Sequence, residues 1–484
     1  MTRDRLLASV PRGLLIGPDW RAAGDGATLP VIDPATEEVI ANVASATPED
    51  AVEAVAVAAE AMRDWARVAP RGRSEILRRA YELMCAQAED LAVLIALENG
   101  KALPDARGEV RYAAEFLRWY AEEAVRLTGS VQTAPTGDYR ILVEHQPIGV
   151  AVLVTPWNFP AAMATRKIGP ALAAGCAVVL KPASDTPLTA LAMGRIFLAA
   201  GVPPGVVNVL PSRRSGAVVK AMLAQEPVRK ISFTGSTEVG RVLLANASER
   251  VQSTSMELGG NAAFLVFGDA DVDAAVRGAM VAKMRNGGEA CTAANRFYVH
   301  ESVADAFVDG FARAMAALRI GAGYDEGTEL GPLINAEART RIEGLVDEAR
   351  VEGARVVTGA QAPQRPGYFY APTVLDHVAP GSRITQEEIF GPVAPVLRFR
   401  DPDEAIAQAN ATEYGLVSYL YTRDLAFGMQ VAERLESGMV GLNRGLVSDP
   451  SAPFGGVKQS GLGREGGHEG MLEYTEKKYI AVAW

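Results

Sequence analysis

The 484-residue sequence predicts an α/β fold built on a doubly wound parallel sheet. From residue 149 onwards, apolar runs such as "GVAVLVTP" and "CAVVLKP" alternate with helical patterns such as "AAMATRKIGPALAAG". A second series of this kind extends from about residue 262 to residue 445. Strands that alternate with helices are typical of parallel sheets, in which ligands bind at the carboxyl ends of the strands.

The first part of the chain predicts mostly helices, framed by extended segments. Residues 26–43 alternate apolar and turn residues, which indicates short strands. Thr47 is typical of a helix N-cap, and Pro48 suits the first helical position. The segments that follow are predicted as helices over 73–101 and 106–128 and an extended ribbon over 130–150.

The rest of the chain repeats the strand and helix pattern and ends in a strand. A helix is predicted from about residue 187 to residue 200, followed by the strand "VVNVL" and the strand–turn–helix run "RKISFTGSTEVGRVLLANA". The tail "EYTEKKYIAVAW", 473–484, predicts a strand whose apolar face needs an edge to pair with. With the ribbon 130–145 it indicates an oligomerisation arm; packing within its own chain is the alternative.

Composition excludes several classes of function. The net charge of −10, with acidic and basic residues mixed along the chain, disfavours binding to nucleic acid or to anionic membranes. No apolar run approaches the roughly 20 residues of a membrane helix, and the N-terminus lacks the apolar core of a signal peptide. Three distant cysteines without a CxxC pair argue against a disulfide framework or a metal site. We expect a cytoplasmic enzyme.

Cys291 is a candidate nucleophile in the stretch "NGGEACTAANRF". A thiolate is the attacking species, and no histidine lies nearby in sequence to activate it. Glu257, beside Gly259 and Gly260, could act as the base through a water molecule. On residue chemistry alone, a structural thiol and an ordinary loop glutamate remain alternatives.

Three stretches predict contacts for a phosphate-bearing ligand at strand ends. The turn "FTGSTEVG", 233–240, follows a strand and opens a helix, whose N-terminal N–H groups and dipole favour phosphate. Its spacing is not GxGxxG, so a plain turn is the alternative. "TPWNFP" and "KPAS" end two further strands, and Lys181 in the second could hold a ribose hydroxyl or a phosphate, or be merely solvated.

Seven motifs together resemble the aldehyde dehydrogenase superfamily. They are "TPWNFP", "KPAS", "FTGSTEVG", "MELGGN", "GGEACTAANR", "EEIFGPV" and "PFGGVKQSGLGREG", in that order, and the resemblance covers about residue 30 to the end. It implies oxidation of aldehydes to carboxylates with NAD or NADP. It also implies three parts: a Rossmann-like cofactor domain (1–129 and 146–256), an α/β catalytic domain (257–447) and a β-ribbon oligomerisation arm (130–145 and 448–484), in a dimer or tetramer.

The resemblance also implies roles for single residues. Cys291 would attack the carbonyl carbon, and Asn158 with the Cys291 backbone N–H would form the oxyanion hole. Glu257 would activate the water that hydrolyses the thioester. Its presence favours hydrolysis over release of the acyl group to coenzyme A. Cofactor contacts are implied for Thr155, Trp157, Lys181, Ser184, Gly235, Ser236, Leu258, Glu388 and Phe390.

A narrower resemblance is to succinate-semialdehyde dehydrogenases. Arg166, Arg285 and Ser448 lie where that subfamily binds the distal carboxylate of its substrate. Guanidinium groups suit a carboxylate because they form directed, charge-assisted hydrogen bonds. The alternatives are a structural ion pair for Arg285, a helix cap for Arg166, and glutarate semialdehyde or a broad range of aliphatic aldehydes as substrate. A non-catalytic protein of the same fold is a further alternative.

Two positions depart from parts of the family. Ser184 stands where many NAD-preferring members have a glutamate that would repel a 2′-phosphate, and Lys181 is near enough in sequence to pair with that phosphate. We therefore expect NADP as cofactor, with NAD possible. Ala293 occupies the position of a second cysteine found in some members, so a disulfide switch on this loop is not expected.

Overall fold

The computed structural model describes residues 3–483. The helices are α1 Arg3–Ser9, α2 Pro48–Trp65, α3 Pro70–Ala86, α4 Ala88–Asn99, α5 Leu103–Glu123, α6 Ala162–Ala174, α7 Pro187–Ala199, α8 Ser215–Leu223, α9 Thr237–Ser248, α10 Val272–Met284, α11 Glu301–Ala316, α12 Ala336–Val351, α13 Arg383–Gln386, α14 Pro402–Asn410, α15 Leu425–Arg434 and α16 Glu469–Leu472.

The strands make up four sheets. They are β1 Leu14–Ile16, β2 Asp19–Arg21, β3 Thr28–Ile32, β4 Val39–Ala44, β5 Ser130–Thr133, β6 Arg140–Pro147, β7 Val150–Val154, β8 Val178–Lys181, β9 Val207–Val209, β10 Val228–Thr234, β11 Ser253–Glu257, β12 Ala262–Val266, β13 Ala294–His300, β14 Arg355–Thr358, β15 Thr373–Asp376, β16 Val393–Phe399, β17 Val417–Tyr421, β18 Met439–Leu442, β19 Gly461–Leu462 and β20 Thr475–Val482.

The first large sheet has the order β19-β11-β10-β7-β8-β9-β1-β2, and its centre from β11 to β9 is parallel. Strand β7 is buried along its whole length. Val150, Val152 and Val154 pack into one apolar cluster, whereas Ala151 and Leu153 pack into another. Because successive side chains point to opposite faces, helices cover both faces of this sheet.

The second large sheet has the order β14-β15-β16-β13-β12-β17-β18. Strand β12 repeats the pattern, because Phe264 and Val266 join one apolar cluster while Ala263 and Leu265 join another on the opposite face. Two doubly covered, mainly parallel sheets confirm the predicted α/β fold.

A three-stranded antiparallel sheet, β20-β6-β5, forms the predicted ribbon. All eight residues of β20 pair with β6 of the same chain, from Thr475 opposite Pro147 to Val482 opposite Arg140. The alternative of pairing within the chain is therefore correct for this strand. The sheet still leaves Val131 and Tyr479 exposed, so its role in assembly stays a prediction.

The structure differs from the sequence predictions in two places. Residues 73–101 were predicted as one helix, but α3 and α4 are separated at Gln87, where φ is −107° and ψ is 16°. The acidic first turn of α4 favours a new helix start there. In addition, β19 pairs with β11 of the first sheet, so part of the predicted arm segment 448–484 packs there. No helix within residues 3–483 is long and apolar enough to cross a membrane.

Candidate active site

A cavity of 720 Å³ lies where the carboxyl ends of β10 and β11 meet the loops that follow β7 and α13 and the segment that precedes β13. Nine of the predicted site residues line it: Trp157, Asn158, Gly235, Ser236, Glu257, Leu258, Cys291, Glu388 and Phe390. The structure thus brings the predicted nucleophile, base, amide donor and most predicted cofactor contacts to one place, although they are spread over more than 230 residues of sequence.

Cys291 lies just before β13, after a short 3₁₀ segment over Arg285–Gly288. Three residues of that segment, Asn286, Gly287 and Gly288, have positive φ angles, of 54°, 61° and 81°. Burial raises the pKa of the Cys291 thiol to about 12, and the positive charges of Arg166 and Arg285 oppose that shift. Because the thiolate is the attacking species, the thiol must lose its proton before it can attack.

Glu257 is the last residue of β11 and is 2% exposed. Neither carboxyl oxygen has a hydrogen-bond partner among the described residues. Burial, followed by the negative charge of Glu465, raises the pKa of Glu257 well above its usual value. A Cβ atom at Gly455 would lie 2.8 Å from Oε1, so glycine is needed there to leave room for the carboxyl group. An unbonded carboxyl group at the cavity wall is free to exchange protons with a ligand or water.

Asn158 presents its side-chain amide at the cavity wall. Its Nδ2 donates one hydrogen bond, of 3.0 Å, to the backbone oxygen of Glu289, two residues before Cys291. An amide nitrogen has two N–H groups, so the second remains available for a ligand. The backbone oxygen of Asn158 accepts hydrogen bonds from Lys101 Nζ at 2.6 Å and Asn286 Nδ2 at 3.0 Å.

The other end of the cavity fits a dinucleotide. Ser236 is the N-cap of α9, with Oγ accepting from Val239 N at 3.4 Å, so the helix N-terminus faces the cavity. Glu388 Oε1 accepts from Gly260 N at 3.2 Å, and burial raises the pKa of Glu388 to about 7. Such a carboxyl group suits a ribose diol, and the N-terminus of α9, a kind of site that favours phosphate, lies in the same cavity.

Aromatic side chains and a close glycine turn complete this end of the cavity. Trp157 and Phe390 meet edge to face with ring centroids 5.3 Å apart, and Phe390 has a left-handed φ of 52°. A Cβ atom at Gly235 would lie 2.4 Å from the Phe233 ring, so only glycine fits this turn. Leu258 N donates to Ser460 O at 2.9 Å, which fixes the segment after Glu257.

Three predicted cofactor residues lie outside the cavity lining. Lys181 ends β8 with 5% exposure, and its backbone oxygen accepts from Thr155 N at 3.2 Å. Burial lowers the pKa of Lys181 to about 8. Ser184 Oγ donates to Ser212 O at 2.9 Å. These residues extend the same sheet edge beyond the cavity, where the far end of a long ligand would lie.

The predicted carboxylate-binding residues occupy three different settings. Arg166 lies within α6, not at its end, and its Nε is 2.6 Å from Glu465 Oε2 in a fully buried ion pair. Arg285 stands over the Phe159 ring at 5.1 Å and donates to Thr292 Oγ1 at 3.2 Å. The alternative role that the sequence suggests for Arg285 is a structural ion pair. In the structure, the residue that forms such an ion pair is Arg166. Ser448 lies half-buried in the loop after β18.

Sequence reasoning missed several residues of this region. Lys101 contacts Asn158 from 57 residues away, and Arg341 donates to the backbone oxygen of Glu388. Glu465 stands within the quoted motif "PFGGVKQSGLGREG", but nothing there indicates that it pairs with Arg166. Only the fold brings these pairs together, so no local pattern could have identified them.

Comparison with known proteins identifies the family of this chain. The model of the Aldehyde dehydrogenase family matches residues 20–480. The chain belongs to the aldehyde dehydrogenase family. A succinate-semialdehyde dehydrogenase of Paenarthrobacter nicotinovorans is 56% identical over 445 residues, which cover 92% of this chain and 99% of that protein. The predicted superfamily and enzyme class are confirmed.

Further aldehyde dehydrogenases resemble the chain nearly as closely. An NADP(+) succinate-semialdehyde dehydrogenase of Escherichia coli is 46% identical, covering 97% of each chain. A glutarate-semialdehyde dehydrogenase of Pseudomonas aeruginosa is 48% identical, covering 96% of each chain. The crystal structure of an E. coli NADP-dependent enzyme matches all of both chains with a TM-score of 0.98 at 45% identity. These likenesses confirm the fold.

Proposed function

We propose that this aldehyde dehydrogenase oxidises succinate semialdehyde to succinate with reduction of NADP, and less efficiently of NAD. One observation carries the proposal: both guanidinium groups lie directly behind the cavity wall, Arg285 at 5.1 Å from the ring centroid of Phe159 and Arg166 with Nη2 3.1 Å from Met163 Sδ, and both Phe159 and Met163 line the cavity with Cys291. A semialdehyde whose far end is a carboxylate places its aldehyde carbon at Cys291 when that carboxylate pairs with these arginines.

The chemistry of the proposal uses three side chains of the cavity. Cys291 Sγ, after losing its proton to Glu257 through a water molecule, bonds to the aldehyde carbon, and the resulting oxyanion accepts hydrogen bonds from Asn158 Nδ2 and the Cys291 backbone N–H. Oxidation then leaves a thioester on Cys291. Glu257, once ionised, takes a proton from the water that attacks the thioester carbon, and the carbon–sulfur bond breaks to release the carboxylate and the thiolate.

A bound nicotinamide cofactor would supply the hydride acceptor for oxidation at the aldehyde carbon. Residues on this chain that would hold it are Trp157, Gly235, Ser236, Leu258, Glu388 and Phe390 along the cavity, with Thr155, Lys181 and Ser184 at the far end. A serine at position 184 adds no negative charge beside a 2′-phosphate, and Lys181 offers a positive one. The NADP(+) relative from E. coli supports this preference.

Glutarate semialdehyde is the second candidate substrate, because the P. aeruginosa relative that carries this name is 48% identical. The two substrates differ by one methylene between aldehyde and carboxylate. Arg166 is held by Glu465 and lies 4.2 Å from the Phe454 ring centroid, so its position is fixed. A fixed guanidinium group favours one chain length, by about 1–3 kcal/mol for a single methylene.

Initial rates of NADPH and NADH formation test the proposal. We expect kcat/KM for succinate semialdehyde to exceed that for butanal at least tenfold, or roughly 1.4 kcal/mol. Glutarate semialdehyde and acetaldehyde, measured in the same way, complete the series. Equal values for succinate semialdehyde and butanal would refute the arginine site. A higher value for glutarate semialdehyde would establish the second candidate.

A further inference from the structure

We propose that Lys101 and Asn286 are positioning residues that hold the Asn158 amide at a fixed separation from the Cys291 loop. The inference rests on the proposed function, in which Asn158 stabilises the oxyanion. Neither residue lines the 720 Å³ cavity, and both act through the Asn158 backbone oxygen.

Lys101 binds the Asn158 segment from outside the cavity. Its side chain is 1% exposed, and Nζ donates to Glu109 Oε2 and to the Asn158 backbone oxygen, each at 2.6 Å. The other Glu109 oxygen accepts from Ala161 N at 2.8 Å and Ala162 N at 3.2 Å. The buried ion pair therefore fixes both the peptide group of Asn158 and the start of α6, only four residues later.

Asn286 ties the same oxygen to the nucleophile loop. Its Nδ2 donates to Asn158 O at 3.0 Å and to Glu289 O at 2.9 Å. Asn158 Nδ2 donates to Glu289 O as well, at 3.0 Å, so the three residues form a closed ring of hydrogen bonds. On the outer side, Asn286 N donates to Asp105 Oδ2 at 2.8 Å. Asn158 and the loop that leads to Cys291 cannot separate without breaking this ring.

The ring also sets which atom of the Asn158 amide faces Glu289. A backbone oxygen only accepts, so the nitrogen must turn toward Glu289 and a flipped amide would place two acceptors together. This orientation costs free energy of folding, because Asn158 Oδ1 is buried without a hydrogen-bond partner among the described residues. A side chain packed for stability alone would satisfy this oxygen first. The geometry thus favours orientation of the N–H donor over local stability.

The charge of Lys101 also supports a positioning role for this residue. A buried ion pair contributes little to stability on average, and apolar groups of similar shape often replace it without loss. Glu109 alone would accept the two N–H groups at the start of α6. What Lys101 adds is the hydrogen bond to Asn158 and a cation–π contact with the neighbouring Phe159 ring, at 4.1 Å from its centroid.

A double-mutant cycle tests the proposal in the full-length enzyme. The variant Lys101→Met with Glu109→Gln removes both charges and keeps the shapes. We expect the pre-steady-state rate of NADPH formation with succinate semialdehyde to fall at least tenfold, with NADP affinity and Tm nearly unchanged. In an Asn158→Ala background the same pair of substitutions should change that rate less than twofold, because the donor they position is gone.

Two further variants complete the design. Asn286→Gly removes only the side chain, because glycine tolerates the left-handed φ of 54°, and should lower the same rate at least fivefold. The pair Lys230→Met with Glu473→Gln removes another Lys–Glu contact, of 2.9 Å, in which the lysine is buried and the glutamate half-buried, and should leave the rate unchanged. Additive losses with and without Asn158, or no loss in the positioning variants, would overturn the inference. An unchanged rate in Asn158→Ala alone would instead overturn the oxyanion role in the proposed function.

Discussion

At the scale of single residues, substitution of Cys291 is the clearest test of the proposed mechanism. Cys291→Ala removes the only group in the cavity proposed to bond to substrate, while Ala is small enough for the space that the thiol leaves. We expect dehydrogenase turnover to be lost and both folding and NADP binding to be retained. Steady-state rates, fluorescence titration with NADP and thermal unfolding measure these three properties. Retained turnover would remove Cys291 from its role.

Glu257 gives a prediction about pH. Only the ionised carboxyl group can take a proton from water, and burial raises its pKa well above the usual value. The ionised fraction, and with it the rate of thioester hydrolysis, therefore increases as pH rises toward that pKa. We expect kcat to rise with pH in the native enzyme. Glu257→Gln should abolish turnover beyond one equivalent of NADPH; a variant with continuous turnover would contradict this role.

Arg285 should determine which aldehydes are oxidised well. It is half-buried over the Phe159 ring and has no carboxylate partner among the ion pairs of the described residues, unlike Arg166. Arg285→Ala should lower kcat/KM for succinate semialdehyde by about 100-fold, or about 3 kcal/mol, and for butanal by less than threefold. Parallel rate measurements on both aldehydes decide this, since equal losses would make Arg285 structural.

At the scale of elements, the loop after β8 should set the cofactor preference. Lys181 is buried at the strand end, and Ser184 follows it on a loop held by the hydrogen bond to Ser212. Ser184→Glu places a carboxylate where a 2′-phosphate is proposed to bind and should shift the ratio of kcat/KM values from NADP toward NAD by at least tenfold. Ser184→Ala is the matched control, and an unchanged ratio in both variants would discredit this assignment.

Elements with a strong local pattern could be predicted from sequence. The continuous apolar runs of β7 and β8 and the helical spacing of α6 are properties of short segments, and each element was found close to its predicted place. The separation of α3 from α4 was missed because the residues around Gln87 are compatible with a continuous helix. Local helix propensity does not show where tertiary packing interrupts a helix.

In the candidate site, too, some residues could be predicted from local motifs, whereas other contacts could not. Cys291, Glu257 and Asn158 stand in motifs whose resemblance to a family could be seen in the sequence, and the structure places them in one cavity. The contacts of Lys101 with Asn158 and of Arg166 with Glu465 join distant segments. Their partners are set by tertiary packing, so the sequence alone could not specify them.

At the scale of the whole molecule, the three-stranded sheet β20-β6-β5 predicts a homo-oligomer. Its strand β5 is exposed along all four residues, and Val131 keeps 67% of its surface accessible. Apolar residues on an exposed sheet are typical of a surface that a second copy covers. Val131→Lys with Tyr479→Lys should lower the mass in solution toward that of one chain, as measured by light scattering. A native enzyme that is itself a single chain would contradict the prediction.

The buried pairing of α6 with the "GREGG" loop has a consequence for biosynthesis. Glu465 pairs with both Lys167 and Arg166, yet it is translated 298 residues after Lys167. Until then, α6 carries two cations that lack their carboxylate partner, and the sheet that α6 packs against lacks its edge strand β19. We therefore predict that the segment around α6 becomes fully stable only after Glu465 has been translated. We expect protease protection of α6 to appear only once the segment containing Glu465 has left the ribosome.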